Sequence, residues 1–101
     1  MSKASLKWLR LALRDLDEIA SYIAKDNPTA AQKVVQRVYE VALNLRNHPA
    51  MGRLGRVPGT RELVIPGLPF ILVYRVKGRR IEILRVLHGA RKWPPERERR
   101  S

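Results

Sequence analysis

Two apolar runs, Phe70–Val76 and Ile81–Leu87, constrain this chain more than any other feature. Both are rich in β-branched and aromatic residues, and Gly78 between them supplies the positive φ that a two-residue hairpin loop needs. With Lys77 and Gly78 as the loop, Val76 is predicted to pair with Arg79, Tyr74 with Ile81, Leu72 with Ile83 and Phe70 with Arg85. Side chains alternate along a strand. One face therefore carries Phe70, Leu72, Tyr74, Ile81 and Ile83. The other carries Ile71, Val73, Leu84 and Val86, with Arg75, Arg80 and Glu82 gathered near the turn. Both faces are apolar in the middle, so both need a cover.

The rest of the chain offers one. Ser5–Leu9 reads as a short strand with Leu6 and Trp8 on one side. From Ala12 to Asp26, Leu16, Ile19, Ala20 and Ile23 recur at helical spacing, with Asp15, Asp17 and Glu18 in the first turns, where a helix dipole favours negative charge. Asn27-Pro28 ends this helix and starts a second, because Asn caps and Pro suits the first helical position. The second helix should reach about Asn47, burying Ala31, Val34, Val35, Val38, Val41, Ala42 and Leu45, before His48-Pro49 stops it. So short a link makes the pair an antiparallel hairpin. Met51–Thr60 is a glycine-rich loop carrying Arg53 and Arg56, and a further strand begins at Arg61.

The expected fold is α+β: an N-terminal strand, a helix hairpin, then a three-stranded antiparallel meander with both helices on one face of the sheet. Residues 1–95 are expected to make one domain, and 96–101 a charged flexible tail. The helices are expected to cover the Phe70 face, which has the longer unbroken apolar set. The Ile71, Val73, Leu84, Val86 face is then left as an apolar groove bordered by arginines, the usual mark of a partner site.

Charge narrows the partner. The net is +12, with eight basic residues against five acidic in 1–48 and thirteen against four in 49–101. Such asymmetry points to nucleic acid, a ribosome or an acidic protein. The chain has no cysteine, which removes thiolate chemistry and zinc-thiolate sites and suits a reducing cytoplasm. His48 and His88 lack acidic neighbours at ligand spacing, so neither a metal nor a cofactor is expected. Leu63–Tyr74, the longest apolar stretch, is broken by Pro66, Gly67 and Pro69, so no membrane span is expected either.

Metal-free RNA cleavage would need an acid, a base and cations around one phosphate. His88 is the candidate acid or base, because histidine titrates near working pH. Arg61, Arg75 and Arg85 have the planar fork that grips phosphate. Arg85 also has a structural reading. It falls on an apolar face, where its charge needs a partner such as Glu62 or an acid of the first helix. Trp93 can stack on a base or pin the C-terminus to the sheet.

An ordered set of segments resembles a known family. It comprises Leu13-Arg14-Asp15-Leu16 with Tyr22-Ile23-Ala24, then Asn27-Pro28, and Asn47-His48-Pro49 with Met51-Gly52-Arg53. It continues with Gly59-Thr60-Arg61-Glu62-Leu63, Tyr74-Arg75 and Ile83–His88, followed by Arg91 and Trp93. Together they resemble the RelE/ParE superfamily of type II toxin–antitoxin toxins, over roughly residues 6 to 95. The resemblance implies the topology above and an acidic, partly disordered antitoxin, encoded by a neighbouring gene and seated on Ile71, Val73, Leu84 and Val86.

RelE-like members are ribosome-dependent mRNA endonucleases; ParE-like members share the fold and poison DNA gyrase. If this chain is a nuclease, the resemblance assigns His88, Arg61 and Arg85 to catalysis. Arg53, Arg56, Arg75, Arg91, Lys92 and Trp93 are expected to bind target or nucleic acid. Two departures weigh against cleavage: no lysine precedes Arg61 in its loop, and Trp93 stands at the place of a tyrosine whose phenol would donate a proton. The expectation is a ParE-like gyrase inhibitor, with the RelE-like nuclease as the alternative.

Overall fold

The computed structural model describes residues 4–89. Strand β1 is Ser5–Trp8, followed by helices α1, Arg10–Ala24, and α2, Pro28–Asn44. Strands β2, Arg53–Leu54, β3, Arg61–Val64, β4, Phe70–Lys77, and β5, Arg80–His88, complete the described residues. They form one sheet in the order β1-β5-β4-β3-β2. β1 runs parallel to β5, while β2 through β5 pair antiparallel with their neighbours. The expected α+β architecture is present, with one strand more than expected: Arg53–Leu54, within the segment read as loop, pairs with Arg61 and Glu62.

α2 begins as its sequence requires. Asn27 accepts a hydrogen bond from the Ala30 amide at 3.0 Å, and Pro28 occupies the first turn. α1 starts at Arg10 without a side-chain cap, earlier than its apolar spacing suggests. Asp15, Asp17 and Glu18 therefore lie beyond the first turn, and Asp15 takes another role, on β5.

The hairpin register differs from the expected one in an instructive way. Lys77 pairs with Arg80, so the loop is Gly78-Arg79, with Gly78 at φ +57 in the first loop position, as a type II′ turn requires. Val76 now faces Ile81 and Tyr74 faces Ile83. This shift of two residues leaves each side chain on its expected face. A bulge between Val73 and Tyr74 on the β4 side then admits Leu84 as an extra residue on β5 and reverses the alternation beyond it. Val86 consequently pairs with Leu72 and joins the helix-covered core, and His88 pairs with Phe70.

That core unites Ala12, Leu16, Val38, Ala42 and Leu45 with Phe70, Leu72, Tyr74, Ile81, Ile83 and Val86. A separate cluster of Ile71, Val73 and Leu87, with Leu84 against it, belongs to the opposite face. Among the described residues, those expected to line an open groove there are mostly buried instead. Val73 is 0% exposed and Ile71 9%. Both sit in β4, flanked in register by side chains of β3 and β5: Val64 and Leu87 beside Ile71, Glu62 and Arg85 beside Val73.

β1 is fastened at both ends. Ala4 and Arg46 exchange hydrogen bonds through the Arg46 Nε and backbone, and the Leu9 amide donates to the Ile83 carbonyl. Beyond that point β1 has ended and the edge of β5 would be bare. Asp15 closes it, accepting from the Val86 amide at 3.0 Å and from Arg85 Nε and Nη2 at 2.7 and 3.0 Å. No helix among the described residues is long and apolar enough to cross a membrane.

Candidate functional site

Alternation and register place Glu62 of β3, Arg75 of β4, Glu82 of β5 and Lys7 of β1 on the face away from the helices, with Val73 and Ile71. The face has an apolar end, Val64, Ile71 and Leu87, and a charged end running through Arg75, Glu82 and Lys7 to Lys77 and Arg80. Arg53 lies opposite Glu62 on the outer strand and shares this side.

Two carboxylates organise the arginines. The Glu62 side chain is only 2% exposed and accepts from the Arg56 amide at 3.0 Å and from Arg53 Nη2 at 3.3 Å, with Arg56 Nε at 3.6 Å. Leaving such a carboxylate without partners would be costly, so the loop is drawn down onto it. Glu82 is gripped in the same way by Arg75, whose Nε donates to Oε1, and by Arg80 at 3.2 Å. The hydrogen bond from Arg75, against the opposing effect of desolvation, holds the Glu82 carboxyl below its ordinary pKa; the charges of Arg75, Arg80 and Lys77 add to it.

A second set of contacts, reaching from the helix side, fixes the loop that carries Arg53 and Arg56. The buried Tyr74 hydroxyl accepts from the Gly52 amide and donates to the Pro49 carbonyl, both at 2.8 Å. Burial pushes the Tyr74 phenol up from its ordinary pKa, against smaller opposing effects of the Gly52 hydrogen bond and the Arg61 charge. Arg61 Nη1 donates to the Gly52 carbonyl at 2.7 Å and reaches that of Ala50 at 3.5 Å. Position 52 must be glycine for this approach, because a Cβ there would lie 2.8 Å from the Tyr74 ring and hydroxyl.

The three catalytic candidates are not brought together. Arg61 pairs with Tyr74 and is engaged with the loop carbonyls. His88 pairs with Phe70 at the other end of β4, its ring edge-on to Phe70 at 5.7 Å. Four residues of strand separate those rows, or about 13 Å. Arg85 reaches out to Asp15 on α1. Of the binding candidates, Arg53, Arg56 and Arg75 gather on the helix-free face, whereas Arg91, Lys92 and Trp93 lie outside the described residues. Of the residues expected to receive the antitoxin, Ile71 and Val73 are buried, Leu84 is half-buried, and Val86 faces the helices because of the bulge. The described residues contain no group of three or more His, Asp or Glu placed to hold a metal.

Sequence reasoning gathered Arg75, Arg80 and Glu82 near the turn, as observed, but missed Glu62 as the partner of Arg53 and Arg56. The signal for the Arg75–Glu82 pairing was present. The expected register set Arg75 against Arg80, two like charges, while the observed one sets Arg75 against Glu82.

Comparisons with known proteins agree with this architecture. The family model described as "ParE toxin of type II toxin-antitoxin system, parDE" matches residues 6–93. A Sinorhizobium fredii protein named "Putative toxin Y4kP" is 47% identical over 94 residues, covering 93% of this chain and 97% of its own length. Toxin RelE2 of Caulobacter vibrioides is 34% identical over 88 residues, covering 87% and 98%. Among solved structures, a chain of the chromosomal ParDE system from P. aeruginosa superposes with a TM-score of 0.77 at 39% identity, covering 85% of this chain and 96% of that one. A chain of the RelBE2 toxin–antitoxin complex from Mycobacterium tuberculosis gives 0.60 at 25%, covering 85% and 98%. The chain belongs to the ParE toxin family of type II toxin–antitoxin systems, within the RelE/ParE superfamily.

Proposed function

We propose that this toxin arrests growth in the cytoplasm by binding and inhibiting DNA gyrase, using the arginines of the helix-free face, and that a cognate acidic antitoxin neutralises it. The dispersal of Arg61, Arg85 and His88 carries the reading. In-line cleavage of RNA needs its acid, base and cations around a single phosphate, whereas an inhibitory docking surface needs only a fixed array of charge and shape. The arginines held by Glu62 and Glu82 form such an array. The likeness to the P. aeruginosa ParDE chain supports the same branch. For the antitoxin, Val64 at 54% exposure and half-buried Leu84 keep apolar surface at the border of the face, beside the arginines that would attract an acidic chain.

Purified protein is expected to inhibit supercoiling by gyrase while leaving translated mRNA intact. Expression alone should cause filamentation and the DNA-damage response, and co-expression of the acidic protein encoded next door should restore growth. The Caulobacter relative named RelE2 favours a second reading, ribosome-dependent mRNA cleavage. New transcript ends in the ribosomal A site within minutes of induction, with gyrase unaffected, would replace the first reading by the second.

A further inference from the structure

Arg53 and Arg56 sit on a segment with little structure of its own: β2 is two residues long, and Gly52, Gly55 and Gly59 interrupt the chain around it. Long cationic side chains on such a segment would ordinarily sample many directions, and binding through them would carry the entropy of ordering them. Here one carboxylate gathers both. Glu62 pairs across the ladder with Arg53, takes the Arg56 amide, and lies beside the Arg56 guanidinium. The arginine side chains remain 64% and 49% exposed; Glu62 meets the inner side of each, through a 3.3 Å hydrogen bond from Arg53 and a 3.6 Å ion pair with Arg56, and donors are left for a partner on the outer side. Glu62 itself is too buried to meet that partner.

We infer that Glu62 is a positioning residue for target recognition, holding Arg53 and Arg56 in the directions from which they contact the target. This inference rests on the reading that the arginine face engages the target. It makes a prediction opposite in sign to simple electrostatics. Glu62→Gln raises the net charge by one, so a surface acting by charge alone would bind polyanions and target more tightly. A surface acting by oriented guanidiniums would keep its polyanion affinity and lose its target.

The test uses the full chain, with Glu40→Gln as a charge-matched control on the exposed side of α2. Wild type, Glu40→Gln, Glu62→Gln, Arg53→Ala/Arg56→Ala and the triple variant are compared for heparin retention, melting temperature, inhibition of supercoiling and growth arrest. Glu40→Gln should match wild type. Glu62→Gln should elute from heparin at the same salt or higher, yet lose inhibition by about tenfold, the scale of one displaced hot-spot contact. On the double-alanine background it should cost nothing more, because a positioning residue has then nothing left to position.

Full potency of Glu62→Gln per folded molecule would overturn the inference, as would an equal further loss on the double-alanine background. Wild-type protein that arrests growth but leaves gyrase untouched would overturn the gyrase reading instead. The inference would then stand or fall on the growth-arrest series alone.

Discussion

Beneath the helices the sheet is closed by hydrocarbon, with Leu72, Ile81 and Ile83 at 0% exposure against Ala12, Leu16, Val38 and Ala42. On the opposite face, a small apolar cluster shares the surface with two carboxylates and the arginines that hold them. The first face resists change because a void there loses contacts and gains nothing. The second is held by paired charges, whose strength depends on geometry and protonation. On the proposed reading, in which the charged face binds, stability is thus kept on the side away from the target.

The largest expected effect lies under the helices. Leu72→Ala should lower stability by about 4 kcal/mol, against about 1 kcal/mol for Leu84→Ala across the sheet, measured by chemical denaturation. Equal losses would erase the contrast. Next is the tether between α1 and β5. Asp15→Ala should cost about 3 kcal/mol, because it strands the Arg85 charge and the Val86 amide together. Asp15→Asn, which keeps an acceptor, should cost less, and Arg85→Ala about 2 kcal/mol.

Tyr74→Phe should cost about 1–2 kcal/mol, since Gly52 and Pro49 lose their partner. Hydrogen exchange at Gly52 should accelerate well before the core opens. The raised phenol pKa adds that the wild type is stable below the ordinary tyrosine pKa and weakens as alkali ionises the unfolded chain first.

Acid sharpens the comparison from the other side. The Glu82 carboxyl has a lowered folded pKa, so its contribution is complete above the ordinary carboxylate range and fades as pH falls through the folded value. Glu82→Gln should flatten the acid limb of the stability profile, whereas Leu72→Ala should shift the profile without changing that limb. Smallest of all, His88→Ala should change stability by within about 0.5 kcal/mol and leave gyrase inhibition intact. Loss of toxicity by about 100-fold in a stable His88→Ala protein would point to acid–base chemistry.

Helices, turn residues and the face under the helices were legible because each has a local cause. Asn27-Pro28 caps, and Phe70, Leu72 and Tyr74 alternate with period two. The register was harder. Gly78 satisfies a two-residue loop whether it stands first or second, and only the cross-strand partner of Arg75 distinguishes the cases. The bulge has no local signature at Leu84, so the reversal that moved Val86 under the helices and His88 beside Phe70 was invisible to alternation. Glu62 was legible only as an acid beside Arg61 and as a candidate partner for Arg85, which Asp15 holds instead. Its partners arrive from a loop whose path depends on Tyr74, twenty-two residues away.

β5, the last of the described strands, is second from the edge of the sheet, between β1 and its own hairpin mate. During synthesis the helix pair can coil early, but Leu16 and Val38 have no Ile81 or Ile83 to rest on, and Asp15 has no Val86 amide to hold. Ser5–Trp8 waits for Arg80–Ile83 across two helices and three strands. Contacts so distant in sequence form late and together. A nascent or prematurely terminated chain ending before Arg80 would therefore display neither an ordered arginine face nor a closed core. The closed core and the ordered arginine face are thus gained together, once Arg80–His88 has been made.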